Sequence, residues 1–273
     1  MTLVWRPGFQ FDVDASTYIE AVEAADTQAL ETGVRYAIND FVIGCKTDGI
    51  WSAIKASCIL AGARTLTGAL VPLVGTAPTN FNFVAGDYNR ETGLVGDGST
   101  KYLDSNRNNN DDPQNSNHNA VYATTVGSLA FMGSDVGATS GTNLLGSGLH
   151  RSRSATPTAY TSVAGFIGIT RNNSSNYSLR NNQSSTTINT ASQAPTSTSL
   201  KLYSPDAVNF ATHRIAFYSI GESLDLEKLD TRVTRLMNLI TYTQTAGLPD
   251  LSVMDMDAAA YIGGAYRAGG TLS

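Results

Sequence analysis

Three acidic residues near the end of the chain, Glu222, Asp225 and Glu227, are the closest approach in this sequence to a catalytic pair. Glycoside hydrolases set two carboxylates across the scissile bond, one as the acid and the other as base or nucleophile. On a strand, residues i, i+2 and i+4 share a face, but these three acids do not keep that spacing as a set. They also lie where a helix is predicted to begin, and acids are favoured there by capping and by the helix dipole. The sequence therefore predicts no catalytic residues and no enzymatic activity.

The three histidines, His118, His150 and His213, are the only bases available for a Ser-His-Asp site. None of them accompanies a Gly-x-Ser-x-Gly turn of the kind that exposes a nucleophilic serine. Their spacing from cysteines also matches no zinc site. We therefore expect all three to be polar surface residues.

Several aspartates stand near Asn and Gly turns and could supply oxygen ligands to calcium. No complete calcium loop accompanies them, and turn formation is sufficient to explain aspartates in such positions. Gly96-Asp97-Gly98 predicts a tight turn and not a phosphate loop, because the required Lys and the following helix are missing. The sequence predicts no metal site and no cofactor, with calcium as the alternative left open. The aspartates are Asp87, Asp97, Asp104, Asp111 and Asp112.

The composition of the chain argues against nucleic-acid binding, membrane insertion and secretion through a signal peptide. Charged residues form only 15% of the 273 residues and the net charge is -5, so solubility depends on Asn, Ser, Thr and Gly. Nucleic-acid binding is not expected, because the arginines are scattered among polar residues instead of forming a basic surface. No apolar run reaches the length of a membrane helix, and no signal-peptide pattern opens the chain, so neither membrane insertion nor secretion by that route is expected. The scattered arginines are Arg151, Arg153, Arg171 and Arg180.

Helical periodicity predicts three short helices between residues 14 and 62, which bury their apolar faces against one another or a partner. The predicted apolar face of the first helix contains Tyr18, Ile19 and Val22, and that of the second contains Val34, Ile38, Phe41 and Val42. The third is to carry Ile50, Trp51, Ile54, Cys58 and Ile59 before Gly62. Cys45 and Cys58 lie in these predicted helices, and we expect buried, reduced thiols, with a disulfide as the alternative.

Short apolar segments separated by Gly, Asn and Ser clusters follow from residue 76 onward and predict an antiparallel sandwich. The glycines in SVAGFIGIT, Gly165 and Gly168, predict a bulge or a close approach of backbones. Residues 213–221 alternate as a strand, and a helix with one apolar face follows from Ser223 to about Thr243. That apolar face consists of Leu226, Leu229, Val233, Leu236 and Ile240.

Two polar tracts, residues 106–119 and 171–193, are rich in Asn and Ser, whose side chains bond their own backbone in turns. They are predicted to be loops or loop-flanked edge strands. Two interpretations remain open for them: a solvated surface, or polar contacts with a neighbouring subunit or a glycan.

The strand and helix of residues 213–242 resemble the end of a laminin-G-like or concanavalin A-like sandwich, and GLVGDGSTKYLDSN, residues 93–106, resembles its opening strand pair. Three longer runs, which together cover about half of the chain, resemble structural proteins of tailed bacteriophage particles and keep that family's order. The resemblance implies a jelly roll of the concanavalin A-like class and a place in the virion. The runs are NDFVIGCKTDGIWSAIKASCILAGARTL, LVGTAPTNFNFVAGDYNRETGLVGDGSTKYLDSNRNNNDDPQNSNHNA and HRIAFYSIGESLDLEKLDTRV.

We therefore expect an α+β chain of three parts: an N-terminal arm and helical domain (1–75), a concanavalin A-like sandwich with its terminal helix (76–243) and a C-terminal arm (244–273). The expected function is structural, in the capsid, neck, tail or baseplate of a phage, after synthesis in the host cytoplasm. The alternative is an adsorption protein that binds a host glycan, and a glycanase ranks last.

The C-terminal arm is expected to take part in assembly with a second copy or with other particle proteins. Residues 257–262, DAAAYI, echo residues 14–19, DASTYI, which suggests that the tail docks in a groove like the one that receives the first helix; chance in an Ala-rich segment is the alternative. Apolar residues without enough mass for a core need burial against something else. The predicted assembly residues are Leu251, Val253, Met254, Met256, Tyr261, Ile262, Tyr18, Ile19 and Val22.

Overall fold

The computed structural model describes residues 11–134 and 141–245, which form an antiparallel β-sandwich with a layer of helices on one side. The predicted α+β architecture, with helices before and after a jelly-roll-like sandwich, is confirmed. The helices are α1 (Val13–Asp26), α2 (Thr32–Thr47), α3 (Leu66–Ala69) and α4 (Leu226–Thr245). Short 3-10 turns lie at Trp51–Ala53 and Ala85–Asp87.

One sheet, called sheet I below, has eight strands in the order β13-β12-β11-β6-β15-β4-β3, with β1 also paired to β15. Strands β1 and β4 lie end to end along the same side of β15, since β1 pairs with residues 217–221 and β4 with residues 214–215. The strands of sheet I are β1 (Ile54–Ile59), β3 (Tyr88–Asn89), β4 (Gly93–Val95), β6 (Asn117–Thr125), β11 (Gly165–Arg171), β12 (Asn176–Asn181), β13 (Ser184–Asn189) and β15 (Arg214–Gly221).

The other sheet, sheet II, has seven strands in the order β10-β9-β8-β7-β14-β5-β2. Every described pairing in both sheets is antiparallel, both between consecutive strands and between strands far apart in the sequence. The strands of sheet II are β2 (Thr79–Phe81), β5 (Tyr102–Asn108), β7 (Ala130–Gly133), β8 (Asn143–Gly146), β9 (Leu149–Ser152), β10 (Thr158–Ala159) and β14 (Ser199–Leu202).

Two cores hold these layers together, one on each face of sheet I. Alternate residues of its strands, such as Val121, Ile167 and Tyr218, point toward sheet II and meet Leu103 and Leu202. The opposite face packs on the helices, where the rings of Phe41 and Phe217 meet edge to face at 5.6 Å. The predicted apolar face of α4 is confirmed, because its five residues are all buried: Leu226, Leu229, Val233, Leu236 and Ile240.

Gly168 shows why the helix layer lies close to the sheet. A Cβ placed on this glycine would lie 3.0 Å from Cδ2 of Leu226, at the start of α4. The predicted bulge or close approach of backbones is wrong, because β11 pairs without a register shift and the neighbours of Gly168 are side chains. A larger residue at position 168 would push α4 away from β11.

The predicted third helix is wrong, because Ile54–Ile59 forms strand β1, paired with β15. Ile54 and Ile59 belong to the helix-side core, whereas Ala56 and Cys58 face sheet II, so both faces of the strand are buried. Because the apolar residues of IKASCI fall on both faces of the strand, they show no strict alternation that would separate it from a buried helix. The division into domains at residue 75 stays a prediction.

Cys45 and Cys58 are both free and buried, as predicted, although Cys58 lies in a strand and not in a helix. Among the residues described, no helix is both long enough and apolar enough to cross a membrane.

Candidate interaction surfaces

Two of the acids considered for catalysis have structural partners near the start of α4. Oδ1 of Asp225 accepts the backbone N–H groups of Glu227 at 2.9 Å and Lys228 at 3.3 Å, which caps the helix. Glu222 forms an ion pair with Nζ of Lys55 at 3.0 Å, between β15 and β1. The capping role predicted for this group is confirmed for Asp225.

The prediction of surface histidines is wrong, because His118, His150 and His213 are all buried between the layers. Their sequence neighbours are polar, but the strands turn the imidazoles inward. Burial lowers the pKa of each to about 4, since a charged ring would lose its hydration there. The neutral form is therefore held in the folded protein at neutral pH.

Hydrogen bonds fix the neutral tautomer of two histidines. Nδ1 of His213 accepts the N–H of Gly127 at 2.8 Å, so its Nε2–H faces the carbonyl of Leu129 at 3.2 Å. In His118, Nδ1 lies 2.5 Å from the carbonyl of Glu222 and Nε2 lies 2.7 Å from Oγ of Ser219. Because a carbonyl can only accept, His118 donates from Nδ1 and accepts the serine hydroxyl at Nε2.

The first polar tract, residues 106–119, was predicted to be a loop or a loop-flanked edge strand, and this is wrong in part, because its ends belong to β5 and β6, which are not edge strands. Its asparagines Asn109, Asn117 and Asn119 are buried where β6 faces β8. Nδ2 of Asn143 on β8 donates to Oδ1 of Asn109 and to Oδ1 of Asn119, both at 2.9 Å. These hydrogen bonds between buried amides connect one sheet to the other, although Nδ2 of Asn117 and Oδ1 of Asn143 are buried without a partner among the described residues.

The four arginines that are scattered among polar residues in the sequence are also buried, and two of them bind backbone carbonyls. Nε of Arg171 donates to the carbonyl of Ser152 at 2.9 Å, and its Nη1 donates to the carbonyl of Thr190 at 3.2 Å. Arg153 donates to the carbonyls of Asn109 and Pro113. Burial lowers the pKa of Arg153 to about 10 and also lowers that of Arg171. These cations join loops to the sandwich and are not available to bind nucleic acid.

The aspartates considered for calcium do not share one turn: Asp87 ends a 3-10 turn, Asp97 follows β4, Asp104 lies on β5, and Asp111 and Asp112 lie in the loop after β5. Burial raises the pKa of Asp97, but the backbone N–H groups of Ser99, Thr100 and Lys101 outweigh it and hold that pKa well below its usual range. The predicted tight turn is confirmed, with Gly98 at a φ of +73°. In the part of the chain that the structure describes, no three His, Cys, Asp or Glu side chains converge to hold a metal.

The outer face of sheet II carries an apolar cavity of about 350 Å³. The apolar part of its wall comes from Leu129, Ala130, Leu144, Leu149 and Pro205, of which Leu129 and Leu149 are exposed. Because the helices cover only sheet I, the described residues leave this face open. An open apolar cavity is typical of a surface that contacts another molecule.

A second open region lies at the edge of sheet I. Strand β13 is almost entirely exposed, and beside it a cavity of about 330 Å³ is lined by Leu179, Thr186, Tyr160 and the exposed Val163. The second polar tract contains this strand, so the prediction of a loop-flanked edge strand is confirmed. Contacts with a neighbouring subunit or a glycan were one of the two interpretations left open for this tract, and the sequence of β13, SSTTIN, carries no charge.

An exposed aromatic pair stands at the other end of sheet II. The rings of Phe81 and Tyr102 are stacked at 4.2 Å and nearly parallel, and Phe81 is 37% exposed. Phe210 lies 6.3 Å from Tyr102 and extends this aromatic surface.

The predicted assembly residues fall into two groups. Tyr18, Ile19 and Val22 are buried in the chain's own helix layer, and Tyr18 also lines a cavity of about 400 Å³ beside Trp51. The others lie outside the described residues, so their role in assembly stays a prediction: Leu251, Val253, Met254, Met256, Tyr261 and Ile262.

No protein-family model matches the sequence, and no curated protein sequence matches it. Solved structures that are similar in fold include the botulinum neurotoxin serotype D binding domain, with a TM-score of 0.44 and 10% identity over 69% of this chain and 51% of that one. The binding domain of botulinum neurotoxin DC in complex with rat synaptotagmin II gives a TM-score of 0.43 and 13% identity over 70% and 53%.

Tailspike protein 2 of the Escherichia coli O157:H7 bacteriophage CAB120 gives a TM-score of 0.33 and 17% identity over 61% of this chain and 27% of that one. The chain thus spans about half the length of the toxin domains and about a quarter of the tailspike. At this level the likeness concerns the sandwich fold only.

Proposed function

We propose that this protein is a non-enzymatic structural component of a bacteriophage particle that acts through protein-protein contacts. It is made in the bacterial cytoplasm and incorporated into the virion. The phage assignment is supported by the three long runs of sequence that resemble phage structural proteins in their order along the chain.

The observation that supports a role in protein-protein contacts is the contrast between the buried polar side chains and the exposed apolar side chains. Polar side chains such as those of His118 and Arg171 are buried and form hydrogen bonds within the protein. Apolar side chains such as those of Leu129 and Leu149 are exposed around an open cavity. A contiguous apolar patch around an open cavity is typical of a site that contacts another molecule.

Localisation in intact particles tests the proposal. A labelled antibody against the protein should bind purified virions, and its copy number should separate a capsid component from one at the tail tip. If purified particles contain no such protein, the proposal is wrong.

Truncation tests the predicted role of the C-terminal arm. A chain that ends at Ala246 should incorporate poorly into particles and show a lower mass by light scattering. A chain that ends at Gly264 is the matched control, because it keeps the predicted assembly residues, and it should behave as the full chain does. If the shorter chain assembles normally, the arm has no role in assembly.

A second candidate function, binding of a host surface glycan, is favoured by the exposed ring of Phe81 stacked on Tyr102. An accessible aromatic face that is backed by a second ring is suited to stack against a sugar ring. Phe81→Ala should then abolish binding to glycans of the host surface on an array, whereas Val84→Ala, at an exposed residue nearby, should leave it intact. If the wild-type protein binds no glycan, this candidate is wrong.

A further inference from the structure

Strand β13 differs from the other strands that end the two sheets. Among the described residues, β3 and β10 each have two residues and β2 has three, whereas β13 has six. The free side of β1 is partly covered, since Ser57 forms backbone hydrogen bonds with Leu73 and Val74. Short edge strands are one way in which proteins prevent edge-to-edge pairing, and β13 lacks this protection.

The sequence of β13, SSTTIN, also lacks the other usual protections. It contains no Lys, no other charged residue and no Pro, and its register with β12 continues from Asn189 to Ser184 without a bulge. All its residues except the half-buried Ile188 are exposed. This edge is therefore long, regular and uncharged, which favours the addition of another strand.

The turn before β13 determines which of its backbone groups are free. Asn182 and Gln183 have φ of 50° and 59°, as in the two-residue turn that closes a hairpin on a hydrogen-bonded pair. Because such pairs alternate along an antiparallel ladder, Ser185, Thr187 and Asn189 are in the non-hydrogen-bonded positions opposite β12. Their N–H and C=O groups point away from sheet I.

We propose that β13 pairs antiparallel with β13 of a second copy of this chain, about a two-fold axis at Thr187. This inference rests on the proposed function only for its biological meaning, since the pairing itself is a property of the isolated protein.

The register about Thr187 is self-complementary. Thr187 meets the second copy's Thr187, and Ser185 meets the second copy's Asn189, so every outward N–H and C=O of these residues finds a hydrogen-bond partner. On the face toward sheet II, Ile188 lies opposite Thr186, which lines the adjacent cavity. Because β13 carries no charge, two identical edges approach without repulsion between like charges. A symmetric dimer of this kind uses the same surface on both copies.

The first test removes one outward N–H group. Thr187→Pro should weaken self-association about tenfold or more, because it eliminates hydrogen bonds at the two-fold axis from both copies. Proline is tolerated in an edge strand where its nitrogen faces solvent, so the pairing with β12 should survive. Thr187→Val is the matched control, which keeps the N–H and should associate as the wild type does. Sedimentation velocity over a concentration series measures both.

A second variant tests the same pairing in case the proline variant does not fold. Thr187→Lys adds an ammonium group at an exposed position, and the two-fold axis would set two such groups side by side. Its association should be weak at low ionic strength and recover in part with added salt, while circular dichroism stays unchanged. Wild-type protein that remains monomeric at every concentration would overturn the inference.

Crosslinking tests the register. Thr187→Cys should give a covalent dimer with a short bismaleimide, because residues paired directly across an antiparallel ladder have Cα atoms about 5.5 Å apart. Ser185→Cys is the matched control on the same face, and its two copies would be about four residues apart along the strands, roughly 13 Å. Efficient dimers from Ser185→Cys and none from Thr187→Cys would overturn the register.

These results are separable from those on function. Absence from purified particles contradicts the phage role and leaves the dimer unaffected, whereas equal association of Thr187→Pro and Thr187→Val contradicts the edge pairing alone.

Discussion

Nε of Arg180, on β12, donates a hydrogen bond to Oδ2 of Asp230, on α4, at 2.8 Å, and the two side chains are only 9% and 6% exposed. The other oxygen of Asp230 accepts the hydroxyl of Thr234 at 3.0 Å. Nη1 of Arg180 donates to the hydroxyl of Ser185 on β13 at 3.2 Å. One buried ion pair thus connects the terminal helix to the exposed edge of sheet I.

Asp230→Ala is expected to destabilise the protein by about 3–5 kcal/mol, because it leaves the guanidinium of Arg180 buried without its carboxylate. Glu227→Ala is the control. Its carboxylate lies 3.9 Å from Arg180 but is 73% exposed, so its loss should change the free energy of unfolding by less than about 1 kcal/mol. Urea unfolding followed by circular dichroism measures both, and equal effects would contradict a specific role for Asp230.

Leu229→Ala should cost about 2–5 kcal/mol of folding stability, because Leu229 is fully buried in the core between α4 and sheet I. Thr231→Ala, on the exposed side of the same helix, should cost nothing measurable, since alanine favours the helix and no core contact is lost. Thermal melting of the two variants makes the comparison. An unchanged melting temperature for Leu229→Ala would show that α4 does not depend on this contact.

The free energy of unfolding should fall as the pH drops from about 6.5 to about 4. Burial lowers the pKa of His118, His150 and His213 from 6.5 to about 4, so the unfolded chain binds protons in this range that the folded protein does not bind. The stability is present in full above pH 6.5 and is lost as the pH falls toward the folded pKa. Each histidine contributes up to about 3 kcal/mol to this loss.

Urea unfolding at a series of pH values between 7.5 and 4 checks this dependence. His118→Gln removes one titrating group, so its stability should depend less steeply on pH than that of the wild type, whatever its stability at neutral pH. Carboxylates begin to be protonated near the lower end of the range, which makes the upper half the decisive part. Stability that is constant between pH 6.5 and 5 would contradict buried neutral histidines.

Both cysteines should be unreactive in the folded protein. Burial raises the pKa of Cys58 to about 12 and that of Cys45 further still, so almost no thiolate forms at neutral pH. A thiol reagent should label two sites in urea and none rapidly in native buffer. The exposed thiol of Ser185→Cys is a positive control within the same chain, and native labelling of wild type at that rate would contradict the burial of both thiols.

The sequence by itself determined the elements whose signals lie in residues close together along the chain. The β-prone residues of 213–221 and the helical spacing from Leu226 to Ile240 predicted β15 and α4. The apolar face of α4 lies in one core and repeats at helical spacing, whereas β15 is buried on both faces, with Phe217 toward the helices and Tyr218 toward sheet II. The turn at Asp97 was also predictable from the sequence, since the side chain of Asp97 accepts hydrogen bonds from residues no more than four positions away.

Tertiary structure alone decided the rest, because the deciding contacts are distant in sequence. The apolar residues of β1 lie on both of its faces, so only its pairing with β15 makes the segment a strand. His118 is surrounded by polar residues in sequence and is buried because its partner Ser219, 101 positions away, lies on the neighbouring strand. The exposure of β13 follows from strand order, since among the described residues β13 ends sheet I and no further strand pairs with it.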